Sequence, residues 1–347
     1  MILLRRELAA GLGGPDRNAV LAALQSALEL EHSTIPPYLY ALYSLVPGAN
    51  KAIAEIIESV VIEEMLHITL VSNVLNALGG SPVLDRPDVI PHYPGPLPGS
   101  VESGLQVGLA PFSIDLVGNV FMKIEEPEEP LRFPVELAET EEPITIGEFY
   151  ERIKASITAL GDGAFTPVPR HQIGPDRMDH SVVVTDVESA SRAIDTIVEQ
   201  GEGTRITPLE IVGTDYAHYY RFGEIFHGRR LIPNAGAGPD APPDQRYVYG
   251  GDPVAFDPDG VLPVPTNPTL VGYPTGSLAF LACRTFNYTY TNLLKVLHVV
   301  LNGAPNRFDD AIGLMMSLKQ QAKDMATGVI TGGMPVGPSF EYQPING

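Results

Sequence analysis

The chain has 347 residues, enough for a large buried core, and its 22 Lys and Arg against 42 Asp and Glu leave a formal net charge of −20. Such an acidic surface repels phosphate backbones and anionic lipid heads, so no nucleic-acid partner is expected. The one cysteine, Cys283, supports neither an internal disulfide nor a thiolate cage, so a metal would have to be held by histidine and carboxylates. No apolar stretch of signal length opens the N-terminus, and the run from Leu293 to Leu301 is broken by Lys295 and His298. The expectation is a soluble, cytoplasmic protein with no membrane partner.

Helix formers with apolar residues three and four apart run from Arg17 to Leu45 and from Lys51 to Leu78, separated by the turn and restart signal Val46-Pro47-Gly48-Ala49-Asn50. The pair predicts an antiparallel helical hairpin. Pro36 and Pro37 lie inside the first segment, where they mark either a kink or bulge in one helix or a junction between two. Gly79-Gly80-Ser81-Pro82 stops the second helix, and an extended, irregular insertion follows over about 80–145, including an acidic run from Glu125 to Glu142 with eight Glu. Helical patterning returns over Ile146–Leu160, Asp186 to about Gln200, and Gly213 to about Arg229. Residues 233–275 hold ten Pro and six Gly, too many for a helix or a central strand, and predict an ordered loop packed down by its aromatic residues. Ser277–Leu301 and Arg307–Val329 read as a C-terminal helical hairpin. The organisation expected is therefore a helical bundle with its insertion over 1–232, and the Pro/Gly wrapping loop plus hairpin over 233–347.

Stepping by three and four along the first helix places Glu31 inside the stripe of Leu24, Leu28, Ile35, Tyr38 and Leu42. On the second helix Glu64 and His67 fall one turn apart in the stripe of Ile57, Val60, Val71 and Leu75. With the turn centred between Gly48 and Ala49, position 31 stands opposite about position 66, so the three groups converge at one height. Isolated buried charges cost several kcal/mol, and a divalent cation is the simplest compensation for such a group.

A two-metal carboxylate centre in a four-helix bundle takes one Glu from each of two helices and a Glu-x-x-His from each of the other two. In the segment DYAHYYRFGEIFHGRR the pair Asp215 and His218 shares the apolar face with Phe222, Ile225 and Phe226, whereas Glu224 and His227 point away as a solvated pair. Asp215 also stands at a helix start, where a first-turn acid is stabilised by the helix dipole, so His218 is the firmer ligand. For the remaining carboxylate, Glu202 in the QGEG segment ranks above Glu148, which lies off the apolar face of its own helix. The candidate ligands are thus Glu31, Glu64, His67, Glu202, Asp215 and His218. His32 sits at a stripe edge, and the Tyr-rich stretches read as packing.

The segments ALELEHSTIPPYLYALYSL, IEEMLH with its downstream LGG, IVEQGEG and AHYYRFGEI, in this order over residues 17–232, resemble the ferritin-like family that includes the iminophenyl-pyruvate dimer synthase domain of violacein and indolocarbazole pathway proteins. The resemblance implies a mainly α, ferritin-like four-helix bundle with a carboxylate-histidine metal centre at Glu31, Glu64, His67 and His218, and it supports Glu202. It also implies oxidative coupling of imines derived from aromatic amino acids. The reading that follows is a two-metal oxidoreductase acting on a small amine- or imine-bearing substrate, with iron as the expected metal and manganese or zinc as alternatives. Non-catalytic metal binding and a metal-free helical partner domain are the competing readings. A homodimer is the expected assembly.

Overall fold

In the computed structural model the described residues are 3–100, 104–127, 144–201, 216–238, 241 and 245–344. The two expected long helices form as α1 (Arg17–Tyr43) and α2 (Lys51–Ala77). Asp16 caps α1 by accepting from the amides of Asn18 and Ala19 at 2.9 and 3.2 Å, which satisfies donors that a helix start leaves orphaned. Asn50 makes the sharp re-entry into α2 in the left-handed region at φ 50°, a conformation that Asn tolerates better than most residues. Its side chain donates to the carbonyl of Asp257 and accepts from the Asp257 amide, at 2.9 and 2.7 Å, so the turn and the Pro/Gly-rich stretch are fixed to one another.

The chain runs on through α3 (Ile114–Leu116), a single π-helical turn at Val117–Phe121 and α4 (Met122–Ile124), then α5 (Ile146–Leu160), α6 (Val187–Gly201) and α7 (His218–His227). Helix α1 packs on α2 and α5, and α6 packs on the same two, which closes a four-helix arrangement around one apolar core. Helix α7 lies against α2 and the 114–124 segment, so its first residue enters the bundle from the side. The C-terminal hairpin forms as expected from α8 (Leu278–Leu301) and α9 (Phe308–Ala326), with α9 against α1 and α8 against α2.

Strands are short and paired in twos. β1 (Leu3–Leu4) pairs antiparallel with β4 (Ile144–Thr145), β2 (Gly95–Pro96) with β3 (Gln106–Val107), and β5 (Arg229–Pro233) with β6 (Tyr247–Pro253). Two expectations are corrected here. The insertion holds a helical segment over 114–124, whose Ile114, Val117, Phe121 and Ile124 keep helical spacing and seat Phe121 against Tyr38 and Phe222 at ring distances of 4.7 and 5.3 Å. The wrapping loop holds β6, which tolerates its Pro and Gly because a two-stranded ribbon has only edges. Among the described residues no helix is long and apolar enough to cross a membrane.

Candidate metal centre

The matched height of Glu31 and His67 across the α1–α2 turn is realised: His67 Nδ1 lies 3.2 Å from Glu31 Oε2 and 3.9 Å from Glu64 Oε2. On the other side of Glu64, its Oε1 lies 3.0 Å from His218 Nδ1, which is 3.5 Å from Glu125 Oε2. Ligand-capable atoms of Glu31, Glu64 and His67 fall within 4.8 Å of one another, as do those of Glu64, Glu125 and His218. Two three-residue groups therefore share Glu64, and the two imidazoles stack with ring centroids 5.4 Å apart.

Each group is buried, and each is held by a neighbour. The Tyr150 hydroxyl donates to Glu31 Oε1, and the Tyr38 hydroxyl donates to Glu125 Oε1. The Thr34 hydroxyl stands 2.9 Å from both Glu64 Oε2 and the Glu31 carbonyl. Behind the imidazoles, His67 Nε2 meets Gln200 Oε1 at 3.0 Å and His218 Nε2 meets Glu63 Oε2 at 2.9 Å, while Arg221 donates to that same Glu63 oxygen and to Ser59 Oγ. Both acceptors can only accept, so each Nε2 carries a proton and each Nδ1 faces the carboxylates.

The electrostatics of these side chains follow from burial and from one another. Among the described residues Glu31, Glu63, Glu64 and Glu125 face Arg221 and the two imidazoles. Burial and then repulsion from Glu125 push the Glu64 carboxyl up to about 7. Burial alone would make His67 and His218 less basic, but bonding to Glu31 raises the one and bonding to Glu125, Glu63 and Glu64 raises the other well above the ordinary imidazole range. Burial also opposes ionisation of Glu31 and Glu63; the bond to His67 holds the first below its usual value, and His218 with Arg221 brings the second down to about 2.

The residues fit a pair of divalent cations. His218 Nδ1 is a buried nitrogen with no aligned hydrogen-bond partner, although two carboxylate oxygens stand within 3.5 Å of it. Oxygen and imidazole donors with one shared carboxylate suit iron, manganese or zinc. A cavity of about 40 Å³ adjoins Glu31, Glu64, His67 and Glu125, walled by Leu30, Ile124, Ile146, Ile197, Val198 and Tyr150. It has room for two or three water-sized species.

Of the expected ligands, Glu31, Glu64, His67 and His218 are brought together, while Glu202 and Asp215 lie outside the described residues. Glu148 is turned to Arg152 on its own helix, and a side-chain exposure of 43% agrees with its lower rank. Three expectations are corrected. Glu224 is buried, not solvated, and accepts from Arg230 and the Leu231 amide at 2.6 and 2.9 Å. Phe226 is 44% exposed, although it was expected on the apolar face. His32 is buried, 2.9 Å from the Tyr290 hydroxyl of α8, rather than at an edge. Two participants, Glu125 and Glu63, are absent from the expected ligands, although Glu125 opens the acidic run. The helical spacing that ends at Ile124 signals Glu125, and Glu63 is legible only through its contact with His218.

Comparison with known proteins agrees with this fold. The ferritin-like family model matches residues 24–227. A crystal structure described as a ferritin like protein from Caulobacter vibrioides superposes with a TM-score of 0.62 at 25% identity, covering 93% of this chain and 97% of that one. Dichlorochromopyrrolate synthase of Lentzea aerocolonigenes is 26% identical in an alignment 318 residues long, which covers 80% of this chain and 29% of that protein. The chain thus spans under a third of the length of that curated relative. The chain belongs to the ferritin-like family.

Proposed function

We propose that this ferritin-like chain is a two-metal oxidoreductase that acts on a small amine- or imine-bearing substrate. The observation that carries the reading is the pair of three-residue groups joined by Glu64, one of which includes a buried imidazole nitrogen left without an aligned partner. Glu31, Glu64 and His67 would hold one cation, and Glu64, Glu125 and His218 the other; Glu202 and Asp215 belong to the proposal on sequence alone. Iron is the proposed metal, with manganese and zinc as alternatives; a pair of iron or manganese ions would supply two-electron oxidation when bound, whereas zinc, which has no redox chemistry, would fit the metal-binding reading.

The chain's own residues set the conditions for that chemistry. Tyr150 and Tyr38 each engage one oxygen of a carboxylate and leave the other facing the centre. The aliphatic walls around the cavity limit water beside the carboxylates, which strengthens every electrostatic interaction inside. The substrate class rests on the resemblance to the iminophenyl-pyruvate dimer synthase domain, and the relative named as dichlorochromopyrrolate synthase supports synthase-type chemistry.

Metal content per chain after iron loading, measured by mass spectrometry on untagged protein, tests the reading. About two irons per chain are expected. Glu64→Ala should lose both, and His67→Ala or His218→Ala about one each, with helix content by circular dichroism nearly unchanged. No bound metal in the wild type overturns the proposal. Two bound irons without consumption of imines derived from aromatic amino acids would leave a metal-binding protein and overturn the oxidoreductase.

A further inference from the structure

The two halves of the centre are built from the same residue types, yet their surroundings differ. His218 donates from Nε2 to an anionic carboxylate, Glu63, whose position is locked because Arg221 donates to the same oxygen and also reaches Ser59 at 2.9 Å. His67 donates from Nε2 to Gln200 Oε1, a neutral amide, at 3.0 Å. A hydrogen bond to a charged acceptor is roughly twice as strong as one to a neutral acceptor, and it makes the imidazole behind it a better electron donor.

A second, independent difference points the same way. His67 Nδ1 is engaged with Glu31 Oε2 at 3.2 Å, so a cation there must displace an existing hydrogen bond. His218 Nδ1 lies 3.0 Å from Glu64 Oε1 and 3.5 Å from Glu125 Oε2 without alignment to either, so a cation there replaces charge contacts and no aligned hydrogen bond.

We propose that the two halves fill in order, the Glu64/Glu125/His218 half first, and that Glu63 is the positioning residue that sets this order by fixing the tautomer and the donor strength of His218. The proposal rests on the two-metal reading above. The shared Glu64 then carries consequence from one half to the other: once a cation sits on the His218 side, Glu64 is held ionised and oriented, and the second half is completed around it. Ordered filling gives a defined singly loaded state. It also gives a route to a mixed pair of metals, because the two positions select separately.

The test is an anaerobic titration of metal-free protein with Co(II), followed by its visible absorption and by calorimetry. Wild type should bind two equivalents in two steps separated by at least about tenfold in affinity. Glu63→Gln should weaken the tighter step by about 10- to 100-fold, merging the two, while the weaker step stays in place. Because that substitution also removes a charged partner of Arg221, Gln200→Glu serves as the second variant. It places a carboxylate behind His67 and should tighten the weaker step without moving the tighter one. Two indistinguishable sites in the wild type, or equal weakening of both steps by Glu63→Gln with no effect of Gln200→Glu, would overturn the ordered filling while leaving the two-metal reading intact. Absence of Co(II) binding to the wild type would overturn both.

Discussion

At the scale of single residues the centre is a set of buried carboxylates interleaved with two imidazoles. The carboxylates around His67 and His218 raise both imidazoles above their ordinary range, and burial with Glu125 pushes the Glu64 carboxyl up to about 7. A cation must displace the protons these groups hold, since a ligating imidazole is neutral at the bound nitrogen and a ligating carboxylate is ionised. Loading near pH 7 should therefore release protons, measurable with a pH indicator in weak buffer. The sign follows: lowering the pH populates the protonated forms that compete with metal, so affinity falls as pH drops through and below neutrality, and it rises toward alkaline pH until the imidazoles have lost their extra protons. An affinity unchanged between pH 6 and 8 would contradict this account. Glu31, Glu64 and His67 were legible because helical geometry and a short turn fix which side chains share a height. Glu125 was not, because it sits in an acidic run whose charge suggests solvent, and only the seating of Phe121 against Tyr38 and Phe222 turns it inward.

At the scale of elements the informative case is α1, which continues through Pro36 and Pro37 as one helix. Each proline removes an amide that would have served the carbonyl four residues earlier, those of His32 and Ser33. The Ser33 carbonyl is instead served by the Tyr93 hydroxyl at 2.6 Å, reaching in from the insertion, while the Thr34 hydroxyl stands 2.9 Å from the Glu31 carbonyl beside the centre. A helix irregularity thus brings polar side chains into the layer that holds Glu31 and Glu64. Tyr93→Phe should lower stability by about 1 to 3 kcal/mol, the cost of leaving a buried carbonyl unserved, read as a shift in the urea midpoint at constant slope. A midpoint within error of wild type would show that the carbonyl finds another donor. The sequence left one helix and two helices equally open at Pro36, because the donor that decides between them lies some sixty positions away. The same distance effect hid β6, whose partner β5 sits beyond a loop and whose Pro and Gly content signals coil to any local reading.

For the whole molecule, the four-helix arrangement was legible as a succession of amphipathic segments, but not the side entry of α7, since nothing in a helix's own pattern states its angle to its neighbours. That entry matters for stability. It brings His218 of α7, Glu125 of the insertion, Glu31 of α1 and Glu64 of α2 to one point, so cations bound there cross-link four parts of the chain that are far apart in sequence. Unfolding separates all four, and a metal that binds only the folded form stabilises it by about 4 kcal/mol per site at a thousandfold excess over its dissociation constant. For a chain longer than 250 residues each kcal/mol raises the melting temperature by roughly 2 °C or a little less. Two sites should therefore raise it by roughly 10 to 15 °C over the chelator-treated protein, with Glu64→Ala showing almost none of the gain because both sites use that carboxylate. Scanning calorimetry of both proteins, with and without metal, separates this from a general effect of divalent ions on a chain of net charge −20. Screening of surface self-repulsion would stabilise wild type and variant alike, whereas binding at the centre stabilises only the wild type.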